Sequence, residues 1–86
     1  MKVSVYDTYV PKDDNNRMHF DILVEEGESV ENVYKYGKTY LNQKGIPDFE
    51  LTTNECNFCH METVSVEIEK EIRDKGYYIL EMENCN

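Results

Sequence analysis

The chain has 86 residues, 40% of them apolar, with eighteen acids against nine bases and a formal net charge of −9. That composition suits one small globular domain and is too apolar for a disordered acidic tail. The negative balance disfavours phosphate backbones and anionic bilayers, so neither nucleic acid nor membrane is an expected partner.

The N-terminal Met-Lys-Val-Ser-Val-Tyr-Asp lacks a long apolar run and a small-residue cleavage site. It does not read as a signal peptide, and no stretch reaches membrane-span length, so a cytoplasmic location is expected. Residues 2–10 alternate and are rich in β-branched and aromatic types, which predicts a strand. Pro11 to Asn16 is a polar turn, and residues 17–25 alternate again through Met18, Phe20, Ile22 and Val24. Together they predict a β-hairpin. A register pairing Val5 with Ile22 and Tyr9 with Met18 aligns the apolar faces. It sets Asp7 opposite Phe20, toward the core, and turns His19 and Asp21 to the other face.

Ser29 reads as a helix N-cap, with Glu31 in the favourable first turn. Val30, Val33, Tyr34, Gly37 and Leu41 keep helical spacing, and Lys44, Gly45 and Pro47 form a stop. Residues 48–53 alternate and predict a short strand. Asn54 to His60 is predicted as a loop. A second helix starts near Thr63 or Ser65, buries Val64, Ile68 and Ile72, and ends at Gly76. Tyr77 to Met82 predicts a last strand.

The expected fold is therefore a single α+β domain over residues 1–86, in the order β-β-α-β-α-β. A four-stranded mixed sheet opens with the hairpin and carries both helices on one face.

Cys56-Asn57-Phe58-Cys59-His60 is the sharpest local signal. Two thiols three positions apart can reach one tetrahedral ion, so Cys56, Cys59, Cys85 and His60 (or His19) are candidate ligands of a structural zinc. A reactive dithiol is a second reading, weakened by Glu55 and Glu62, which raise thiol pKa values. Covalent haem attachment fits the CxxCH pattern but needs export. Buried, unreactive thiols are the plainest reading, since free Cys is among the most buried residue types. The count of three Cys is odd, which disfavours a disulfide framework.

Asp7, His19 and Asp21 form a second constellation. A His beside a carboxylate can act as a general base or a metal ligand, so these three are the catalytic candidates of a small acid–base or hydrolytic enzyme. Tyr36 and Tyr40, one helical turn apart, are candidate anchors of a homodimer. The acid-rich stretch 61–86 is a solvated face or a docking face for a basic protein partner. No phosphate-cradling Gly loop, nucleophile elbow or HExxH is present.

Val-Tyr-Asp-Thr-Tyr-Val at 5–10, Met-His-Phe-Asp at 18–21, Glu-Cys-Asn-Phe-Cys-His at 55–60, Gly-Tyr-Tyr-Ile at 76–79 and the Met-Glu-Asn-Cys-Asn tail carry a resemblance. The chain resembles the bacterial family called domain of unknown function 2024, in the same order over nearly its whole length. The tail reads Glu-Asn-Cys-Asn where the family pattern has Glu-Gly-Cys-Asn. The resemblance implies a compact α+β domain of this size. It brings no activity, cofactor or partner, and it assigns no role to Asp7, His19, Asp21, Cys56, Cys59, His60 or Cys85.

Overall fold

A computed structural model describes residues 1–13 and 15–85. The elements are β1 (Lys2–Pro11), β2 (Arg17–Glu25), α1 (Val30–Gln43), β3 (Cys56–Thr63), α2 (Val66–Lys75) and β4 (Tyr78–Glu83). The α+β order β-β-α-β-α-β stands as the sequence predicts. One sheet of four strands runs β3-β1-β2-β4. All three of its pairings are antiparallel, so the sheet is not mixed. The reason lies in the strand order. The crossover through α1 does join two strands of like direction, β2 and β3, but β1 lies between them.

The helices lie on opposite faces, not on one. Ser29 caps α1 by accepting a bond from the Asn32 amide, and the helix buries Val33, Gly37, Tyr40 and Leu41. These pack on Met18, Phe20, Ile22 and Val24 of β2. Gly37 packs closely there: a Cβ would press on the methyl ends of the Leu51 and Ile22 side chains, which would have to shift to admit it. Ser65 caps α2, and Gly76 ends it at φ 99° in the left-handed region. Ile72 of this helix, with Ile68 and Val64, packs on Val3, Val5 and Leu23. Leu23 alternates with Ile22 and Val24, so α2 covers the other face.

The hairpin register differs by one residue from the sequence expectation. Val5 pairs with Leu23, Asp7 with Asp21, Tyr9 with His19 and Val10 with Met18. The two-sided core explains the slip. β1 carries Val3 and Val5 for one face and Val10 for the other, so apolar alternation alone does not fix its phase. Asp7 therefore does not point into the core. It shares a face with His19 and Asp21.

The third strand also moves. Residues 48–53 are outside any strand, and the Cys-rich segment read as a loop is β3 itself. Phe49 and Leu51 still pack against the α1 core, but from the connecting loop. The tyrosines pack rather than project. Tyr40 is buried against Phe20, with ring centroids 4.7 Å apart, and Tyr36 stacks on Tyr77 at 4.6 Å.

Candidate functional site: Asp7, His19 and Asp21

β1 and β2 place three polar side chains on the α2 face, beyond the reach of α2. The packed cluster under that helix extends to Val5 on β1 and Leu23 on β2. The next positions along each strand are Asp7 and Asp21, followed by Tyr9 and His19. Strand alternation keeps all of them on one face.

His19 Nε2 lies 2.5 Å from Asp7 Oδ1 and 4.0 Å from Asp21 Oδ1. One donor atom from each residue falls within 4.8 Å of the others. The side chains are partly screened from water: Asp21 is 14% exposed, His19 19% and Asp7 33%. The Tyr9 ring stacks on the His19 imidazole, centroids 4.1 Å apart and planes within 12°, and the Arg17 guanidinium lies 4.7 Å from the centre of the Tyr9 ring. This stack holds the imidazole plane. On the other side of the sheet the Cys85 thiol donates to the His19 carbonyl at 3.4 Å, and the Asn84 amide donates to the Arg17 carbonyl at 2.8 Å. The C-terminal segment thus clamps the start of β2.

Two carboxylates set directly across a strand pair repel each other. Burial, with the hydrogen bond and the charge of Asp7, pushes the Asp21 carboxyl up to about 6, while His19 and His60 pull it down. The cluster therefore favours a positive charge or a proton between its oxygens.

The thiols do not gather. Cys56 begins β3 and is buried, Cys59 is exposed on the same strand, and Cys85 is buried after β4. β3 and β4 are opposite edges of the sheet, with β1 and β2 between them. The Cys56 sulfur accepts from Thr8 of β1 while the Cys85 thiol reaches back to the His19 carbonyl of β2, and among the described residues no group of three or more candidate ligands includes a thiol. Burial raises the Cys56 pKa against the opposing hydrogen bond from Thr8, which keeps the sulfur a thiol. His60 bonds to Glu62 at 3.1 Å. Among the described residues, Asp7, His19 and Asp21 are the one group of three or more that could hold a metal ion.

Two surface clefts lie away from these residues: one is lined by Met1, Lys2, Glu25, Glu26 and Arg73, and another runs beside β4 past Lys44, Lys75 and Tyr77. The site is an open sheet face. The sequence reading groups these three residues and the His–carboxylate pairing, but its register puts Asp7 on the core face, away from His19 and Asp21, where the observed pairing sets all three on one face. The signal was present: Asp7 with Tyr9, and His19 with Asp21, repeat a two-residue spacing that only the observed register superposes.

Comparison with known proteins supports the fold. The solved NMR structure of protein NE1680 from Nitrosomonas europaea is 36% identical, each chain is covered in full, and the TM-score is 0.83. A search of curated proteins gives no match. No helix of the described residues is long and apolar enough to cross a membrane. The family described as "Domain of unknown function (DUF2024)" matches residues 1–82, and the chain belongs to it.

Proposed function

We propose that the chain is a small binding module that takes one divalent transition cation on the open half of its sheet, through Asp7, His19 and Asp21. The observation that carries this reading is the convergence of one imidazole nitrogen and two carboxylate oxygens, from adjacent strands, within 4.8 Å. One nitrogen with two oxygens suits first-row divalent ions better than calcium or magnesium, which prefer all-oxygen shells. A bound dication would neutralise the facing pair Asp7 and Asp21. Three protein donors leave positions open for water or a second ligand. The cytosol suits the module, since all three cysteines are free thiols.

Isothermal titration with Zn2+ on untagged, reduced protein tests the reading. One equivalent should bind, and His19→Ala and Asp7→Asn should each abolish or strongly weaken uptake while circular dichroism stays native. Unaltered uptake by His19→Ala overturns it, as does no uptake by the parent protein.

A second reading is acid–base chemistry by His19 with Asp7 or Asp21. The 2.5 Å His19–Asp7 contact favours it, since donor and acceptor already touch. It ranks second because the site is an open face and the clefts described above leave it out. Ester hydrolysis that survives a chelator and disappears in His19→Ala would reverse the ranking.

A further inference from the structure

The Cys56–His60 segment runs along β3 beside the Asp7 strand, and its irregular pairing aims it at the three-residue cluster. β3 is not a regular strand. Val5 pairs with His60 but Tyr6 pairs with Phe58, so Cys59 is an extra residue bulged out of the ladder. A bulge changes the phase of the strand and re-aims the side chains beside it. Asn57 pairs with Asp7 and His60 with Val5. Both positions therefore lie on the α2 face although they are three residues apart, an odd spacing that a regular strand would send to opposite faces.

His60 is the diagonal neighbour of Asp7, one strand across and two residues along. Diagonal partners in an antiparallel pair stand about 7–8 Å apart, within reach of a ring side chain. The ring is free to turn: His60 and Glu62, its partner at 3.1 Å, are 50% and 56% exposed.

We infer that His60 is a fourth protein ligand of this cation site, brought in by rotating its ring from Glu62 toward Asp7. The inference rests on the proposed binding of a divalent ion by Asp7, His19 and Asp21. It gives the odd-spaced motif a role that needs neither thiol as a ligand. The bulge at Cys59 supplies the phase change, and His60 supplies the donor. Two imidazoles with two carboxylates complete a four-donor set.

Imidazole 15N spectra of Cys59→Ser protein, with and without one equivalent of Zn2+, separate the inference from its foundation. The Cys59→Ser change keeps the exposed thiol from competing for the probe. Both His19 and His60 nitrogens should shift, and His60→Ala should weaken Zn2+ binding about tenfold or more. Glu62→Gln, which releases His60, should bind at least as tightly as the parent. A shift of His19 alone, with His60→Ala binding normally, overturns the His60 inference and leaves the three-residue site standing. A shift of neither, or of His60 alone, overturns both.

Discussion

The two faces of the sheet are built to different ends. On the α1 face, a fourteen-residue helix and the loop after it close over Met18, Phe20, Ile22 and Val24, along most of β2. On the α2 face, a ten-residue helix covers Val3, Val5 and Leu23, and the rest is left to Asp7, Tyr9, His19 and Asp21. One face is apolar packing along most of its length. The other is half apolar packing and half polar side chains, and its polar half sits where no helix excludes water. The short second helix leaves the candidate site uncovered.

That contrast predicts where the fold breaks. Phe20 is fully buried on the α1 face, and Phe20→Ala should cost about 3–5 kcal/mol in urea denaturation, enough to unfold many chains of this size. A loss under about 1 kcal/mol would mean that the α1 face is not the main core.

Asp21 tests the opposite half with the opposite sign. Its folded carboxyl is raised from 3.8 to about 6, so the folded state holds its proton more tightly than the unfolded chain. Stability should therefore fall as pH rises between those two values, by an amount on the order of 2 kcal/mol. Asp21→Asn should be more stable than the parent at about pH 7.5 and should flatten this part of the pH profile. Equal stability of the two proteins at both ends of that range would remove the strain assigned to the Asp7–Asp21 pair. Where the same change also abolishes cation binding, stability and binding oppose each other at one residue.

Ser65→Ala removes the α2 cap and should cost about 1 kcal/mol in thermal or urea unfolding. The smallest effect belongs to Cys59→Ser. Its exposed side chain should leave stability within about 0.5 kcal/mol of the parent and leave cation affinity unchanged. A large loss of metal there would restore a thiol role that the strand order argues against.

Much of the fold is legible in the chain. Ser29 and Ser65 mark both helix starts, Gly76 marks an end, and the hairpin strands announce themselves by β-branched alternation. β3 is not legible, because Cys, Asn, His and Glu on an edge strand have little apolar patterning to display. The segment 48–53 has such patterning and is a loop, because Phe49 and Leu51 fill the α1 core without joining the sheet. The site was half legible. The residues are recognisable as chemistry, but their grouping depends on a hairpin register that apolar residues on both faces leave ambiguous. Asn84 sits at φ 57°, in the left-handed region where Gly and Asn are the residues best tolerated.

The facing carboxylates also bear on how the chain reaches this arrangement. Slipping the hairpin by one residue would set Asp7 against Phe20 and part it from Asp21, relieving their repulsion while exchanging the two faces of β1. Repulsion between the two carboxylates alone thus opposes the native alignment, and helix packing on both sides resists it. A cation held by Asp7, His19 and Asp21 would reverse the force, since only the native alignment brings its donors together. The ligand would then act as a pin that selects one strand alignment during folding, before it serves any later purpose.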